Sequence, residues 1–178
     1  KLEISLAYCS QITSQGVRMI SLTFPLSLRC LKLDLVNCEQ VNQKGIQKIF
    51  SDIAKLSALK ELSLRLNRDN KVNDKGIKEL ELCINRLKCL DSLLLSMWKM
   101  NEISKSGLKD FLKSLASKTG LKKLILHFPD CDRNITDKSL EKLGKSLIGM
   151  KGLEIFGLDV RCCSGITDKG IKELFEKI

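Results

Sequence analysis

Aromatic side chains are scarce in this chain: 4% of its 178 residues, with one Trp and one Tyr. A surface that holds nucleic acid by stacking bases needs several exposed rings, so nucleic acid is not the expected partner. Histidine occurs once, as His127, and none of the 8 cysteines forms a Cys-x-x-Cys pair. The close cysteines are Cys162 beside Cys163, and Cys83 near Cys89, which is not the spacing of a zinc site. No apolar run approaches the ~20 residues of a membrane helix, so no membrane insertion is expected. The chain also lacks a phosphate-binding glycine-rich loop, a His-Glu-x-x-His pair, a paired-carboxylate signature and a calcium loop. These absences point away from an enzyme, a metal site, a cofactor and a small-molecule substrate.

Apolar residues make up 43% of the chain and charged residues 29%, a globular composition with enough length for one sizeable core. The formal net charge is +10, which suits a protein partner with an acidic surface or tail.

The chain is six copies of one unit. The small residue after each turn recurs as Gly16, Gly45, Gly76, Gly107, Ser139 and Gly170, at steps of 29, 31, 31, 32 and 31. Four places earlier an aliphatic residue keeps the same steps: Ile12, Val41, Val72, Ile103, Ile135 and Ile166. A fixed period near 30 marks a stacked repeat architecture. Ahead of each turn stands an alternating triplet, from Leu2/Ile4/Leu6 through Leu62/Leu64/Leu66 to Phe156/Leu158/Val160. Period 2 places each triplet on one face of a strand.

Behind each turn a helix is predicted. Thr13, Asn42, Asn73, Ser104, Thr136 and Thr167 all carry a side-chain oxygen that can accept a free amide of the first turn. Apolar residues then follow at spacings of 3, 4 or 7, as in Ile46/Ile49/Ile53, Leu108/Phe111/Leu115 and Ile171/Leu174/Ile178, giving each helix one stripe.

The run Leu28-x-x-Leu31-x-Leu33-x-Leu35, followed by Asn37-Cys38-Glu39-Gln40-Val41-Asn42-Gln43-Lys44-Gly45-Ile46, resembles the leucine-rich repeat, in its cysteine-containing and ribonuclease-inhibitor-like subtypes. The step Ile166-Thr167-Asp168-Lys169-Gly170-Ile171 is similar to that of the cysteine-containing subtype. The resemblance implies a right-handed α/β horseshoe with parallel strands on the concave face and helices on the convex face. Its repeats fall at about 1–28, 29–59, 60–90, 91–121, 122–153 and 154–178. It also implies that Cys9, Cys38 and Cys163 fill a buried slot whose polar atom bonds the neighbouring loop. Asp69 and Met100 hold that slot in two copies, and Cys131 and Asp132 both stand near it in the fifth. Small reduced cysteines in a core predict a cytoplasmic, reducing compartment.

One repeat cannot bury its own apolar faces, so neighbours supply the core. The first triplet has no strand ahead of it, Ile178 stops within a helix, and the chain begins with Lys1 rather than Met. A longer array or larger protein is the expectation.

Residues between the triplet leucines face the concave side. Among them Asp34, Arg65, Asn67, Trp98, His127, Asp159 and Arg161 form the candidate partner-binding face, since Trp and Arg dominate interface hot spots. Ser96, His127 and Asp159 occupy one column on consecutive strands, the residue types of a catalytic triad. The open surface offers them no evident oxyanion donors and no Gly-x-Ser-x-Gly elbow. A second candidate is a basic stripe of Lys44, Lys75, Lys105, Lys138 and Lys169 at the helix starts, beside which helix acids are expected to neutralise part of the charge. The expected function is a non-catalytic interaction or scaffolding module. The alternatives are the substrate-recognition repeats of an F-box-type ubiquitin ligase subunit, or regulatory repeats attached to a kinase.

Overall fold

The computed structural model describes residues 1–67, 70–131 and 134–176. Asp69, Asp132 and Ile178, named above in the cysteine slot, beside it and at the end of the last helix, lie outside the described residues.

Six strands alternate one for one with six helices: β1 Leu2–Ser5, α1 Ser14–Leu22, β2 Cys30–Asp34, α2 Gln43–Ile53, β3 Glu61–Asn67, α3 Asp74–Arg86, β4 Ser92–Trp98, α4 Lys105–Ser114, β5 Lys123–His127, α5 Asp137–Leu147, β6 Ile155–Asp159 and α6 Asp168–Phe175. The strands form one parallel sheet in chain order. Its register is that of the repeat: Leu2, Leu31, Leu62, Leu93, Leu124 and Phe156 stand side by side, as do Ser5, Asp34, Arg65, Ser96, His127 and Asp159. Triplet leucines and helix stripes meet in one continuous core between the two layers. The stack is a leucine-rich-repeat solenoid. Because helices are wider than strands, the sheet takes the inside of the curve.

All six proposed caps precede a helix. They also join successive repeats. The Asn42 N–H donates to Ser14 Oγ (3.1 Å), that of Asn73 to Gln43 Oε1 (3.0 Å), that of Ser104 to Asp74 Oδ1 (2.6 Å) and that of Thr167 to Asp137 Oδ1 (2.8 Å). The first residue of one helix thus accepts the capping amide of the next. This crossing accounts for much of the glycine column. A Cβ on Gly45 would fall on the Ser14 side chain, and one on Gly107 or Gly170 on the carboxylate of Asp74 or Asp137. The exception follows the same rule. Helix α4 opens with Lys105, which cannot accept, and the next repeat replaces glycine with Ser139, whose Oγ takes the Thr136 N–H (3.3 Å). The Asp137 carboxyl is held below the usual carboxylate range by the Thr167 backbone N–H and hydroxyl it accepts.

The cysteine slot bonds backward along the array. Cys38 Sγ donates to the Leu6 carbonyl (2.9 Å), Cys131 to Met97 (3.4 Å) and Cys163 to Phe128 (3.3 Å). Buried Asn70 does the same for Leu35 and Val41 (3.4 and 3.2 Å), and buried Asn134 bonds the Met100 carbonyl (2.6 Å). Neither asparagine stood out in the sequence.

Two expectations need correction. Cys9 is exposed, because the first repeat has no strand on that side to bond, and Cys89 and Cys162 are exposed too. Ile171 is exposed for the corresponding reason on the face of α6 away from α5, while Leu174 is fully buried.

This division of the thiols is measurable. Burial pushes the Cys83 thiol up to about 12 and the Cys131 thiol to about 11, from an ordinary 9.0. Under native conditions Ellman's reagent is expected to titrate the three exposed cysteines quickly and the five buried ones only on unfolding. Above pH 9 the unfolded chain releases protons that the folded Cys83 and Cys131 retain, so their contribution is whole below pH 9 and is lost between pH 9 and 12. Cys83→Val should flatten that alkaline decline in unfolding midpoint. An unchanged decline would show that the thiol does not drive it.

Candidate functional site

The sheet face holds a cleft of about 430 Å³ lined by Tyr8, Val36, Arg65, Ser96, Trp98, His127, Pro129, Asp130, Asp159, Arg161 and Cys162. Tyr8 belongs to the first repeat and Cys162 to the sixth, so the strand face is concave enough for both ends of the array to border one space.

The loops that leave the strands turn on left-handed residues: Tyr8, Asn37, Lys99, Asp130 and Cys162 have φ between 55° and 65°. Such φ values are uncommon outside glycine, and here they recur at the repeat period. Tyr8, Asp130 and Cys162 reach the cleft this way. Their recurrence at one step past the concave columns is the sequence signal that would have found them.

Two aspartates set the arginines. Asp159 accepts the Arg161 backbone N–H and Nε with Oδ1 (3.1 and 2.9 Å) and Nη2 with Oδ2 (2.8 Å). Asp34 accepts the Val36 N–H with Oδ1 (3.1 Å) and pairs with Arg65 Nη1 through Oδ2 (3.0 Å). In both cases the amide two residues on pins one carboxylate oxygen and the other oxygen holds a guanidinium. The Arg161 side chain keeps the Asp159 carboxyl below its usual range. Both arginines remain largely exposed, with side-chain accessibilities of 56% for Arg65 and 78% for Arg161.

Trp98 stands half-buried in the wall. Its Nε1 donates to Asp130, which lowers that carboxyl, and Lys99 Nζ lies 4.9 Å from the ring centre. The ring therefore both braces the loop of the next repeat and faces the cleft. Asn67 does not belong to this face. It is 3% exposed, its amide donates to Asn37 Oδ1, its Oδ1 accepts the Asn37 N–H (3.3 Å), and its own N–H goes to Asn70 (3.0 Å). Strand alternation pointed it outward; the loop turns it in.

The column Ser96, His127, Asp159 is adjacent, as its register requires. Among the described residues no hydrogen bond joins Ser96 to His127 or His127 to Asp159, and the Asp159 carboxylate is committed to Arg161. A triad is defined by that connectivity rather than by residue type.

The basic stripe is exposed throughout: Lys44, Lys75, Lys105, Lys138 and Lys169 all lie in the first turn of a helix, and none forms an ion pair among the described residues. Three helix acids pair with other lysines, Glu81 with Lys78 (2.8 Å), Glu141 with Lys142 (3.6 Å) and Glu176 with Lys172 (3.5 Å). A cation in the first turn opposes the helix macrodipole, so these lysines do not stabilise their helices electrostatically. Among the described residues no cluster of three or more His, Cys, Asp or Glu could hold a metal ion, and no helix is long and apolar enough to cross a membrane.

Comparison with known proteins agrees with this architecture. A leucine-rich-repeat family model matches residues 158–175. The tropomodulin C-terminal domain of Caenorhabditis elegans superposes with a TM-score of 0.60 at 12% identity, over 93% of this chain and 91% of that one. A chain of the yeast Rad7–Elc1 complex superposes with a TM-score of 0.58 at 16% identity, over 97% of this chain but 44% of its own length. No curated protein matches the sequence. At such identities the solved structures speak for the fold alone. With its six in-register repeats, the chain has the leucine-rich-repeat fold.

Proposed function

We propose that this chain is a non-catalytic protein-recognition segment and that its concave face is where the partner sits. The single observation that carries this reading is the cleft on the concave strand face. It gathers residues from the first and sixth repeats around a half-buried Trp98, with exposed, carboxylate-held Arg65 and Arg161 beside it. Trp and Arg on a concave, partly desolvated surface are the residues on which binding energy concentrates. Asp34 and Asp159 act as positioning groups, and His127 and Ser96 offer hydrogen bonds from the floor. The lysine stripe is the competing surface, suited to an acidic tail lying along the helix starts.

Selecting a peptide library on the immobilised protein separates the two. Enriched binders are expected to lose about tenfold or more in affinity to Trp98→Ala, and little to the double charge reversal of Lys75 and Lys138. Binders indifferent to Trp98→Ala and lost on the charge reversal would move the function to the stripe.

A further inference from the structure

This inference rests on the concave-face reading above and names the chemistry of the occupant. We infer that the cleft takes an extended, acidic peptide segment in which two carboxylate side chains stand four residues apart with an apolar residue midway between them.

The hydrogen-bonding capacity of the cleft is lopsided. Its carboxylates are already engaged by protein donors, Asp130 by Trp98 and Asp159 by Arg161, and so is Asp34 just outside it, by Val36 and Arg65. Its cations are not used up. Among the described residues Arg65 spends only Nη1, and Arg161 spends Nε and Nη2, so Nε and Nη2 of the first and Nη1 of the second remain to donate. A guanidinium already fixed by a carboxylate loses little freedom on binding a second anion, and its planar fork matches a carboxylate. The charge of +10 on the whole chain favours approach of an acid over that of a base.

Spacing follows from the sheet. Arg65 lies on β3 and Arg161 two residues past the end of β6, three strand intervals away. At about 4.8 Å per interval, with Arg161 two residues further along than Asp159, which is in register with Arg65, their backbones are about 16 Å apart. An extended chain rises about 3.4 Å per residue, so four residues cover about 14 Å, the long arginine side chains reach across the rest, and residues i, i+2 and i+4 project to one side. A segment crossing the strands thus presents i and i+4 to the two arginines. Residue i+2 falls over Ser96 and His127, beside the Trp98 ring and Pro129, where an apolar side chain finds apolar surface.

The test uses the full chain and a fluorescein-labelled peptide containing Glu-Ser-Leu-Ser-Glu, read by anisotropy at low salt. The twin in which both Glu are Gln, and a version with the acids three apart, are expected to bind about tenfold more weakly. Arg65→Ala and Arg161→Ala should each cost the Glu peptide a similar factor and leave the Gln twin unaffected. Equal binding of Glu and Gln peptides, with both lost in Trp98→Ala, would overturn the acidic occupant and leave concave recognition standing. Binding of the Glu peptide that survives both arginine variants and disappears on charge reversal of Lys75 and Lys138 would overturn both. No binding of the Glu peptide, with library binders still lost in Trp98→Ala, would overturn this inference alone.

Discussion

Phe111→Ala lowers the unfolding free energy by about 3–5 kcal/mol, the cost of emptying an aromatic site in a packed core. Phe111 is 1% exposed on α4, in the fourth of six repeats, and its ring belongs to the core that runs unbroken along the array. The consequence is not confined to one repeat. In a stacked array stability is a sum of repeat terms and nearest-neighbour interfaces, so damage in the middle uncouples the two ends. Urea titration followed by far-ultraviolet circular dichroism should show a lower midpoint and a broader transition, or two. A sharp transition at the parental midpoint would mean that repeat four is not a structural bridge.

Lys118→Met costs about 1–3 kcal/mol, although it replaces a charged residue by an apolar one of similar length. Lys118 is 8% exposed, and its Nζ donates to the carbonyls of Ile84 (3.0 Å) and Leu87 (2.8 Å). Those carbonyls end α3, where the macrodipole favours a cation, and each also accepts a backbone N–H, Ile84 from Leu87 (3.1 Å) and Leu87 from Leu90 (3.4 Å). Burial, with the charge of Lys88 added, pulls the Lys118 ammonium below its ordinary value, which records the desolvation that these bonds offset. Methionine keeps the stem but removes two charge-assisted hydrogen bonds, leaving each carbonyl only its backbone donor. Lys118→Arg, which can still donate, should recover part of the loss. A thermal midpoint unchanged in Lys118→Met would show that water replaces the ammonium without cost.

Much of the fold was legible because its signals are local and repeated. Alternating leucines fix the face of each strand, and a capping side chain three residues before a glycine, or before Ser139 in the fifth copy, fixes each helix start. The parallel register follows from the one-for-one alternation of strand and helix. The Gly-to-Ser change at Ser139 was visible too, but its cause, Lys105 at the start of the preceding helix, emerges only when the two helices lie side by side.

The cleft was legible in part. The columns named Arg65, Trp98, His127 and Arg161, but the contribution of Tyr8 depends on curvature summed over six repeats, which no single repeat encodes. The pairing of Asp34 and Asp159 with the arginines depends on loop amides two residues on, and so does their loss as free acids. Asn67 misled because alternation continues to the last residue of β3, where loop bonds to Asn37 and Asn70 take over. Lys118 carried no pattern at all, since its partners lie 31 and 34 residues away.

Trp98 is the chain's one tryptophan and stands in the wall of the proposed recognition cleft, so its emission reports directly on occupancy. Titrating the unlabelled protein with a tryptophan-free peptide selected for binding should shift or quench that emission, saturably and with the affinity found independently. A selected peptide that saturates the protein while the Trp98 spectrum stays unchanged would place recognition elsewhere and contradict the concave-face assignment.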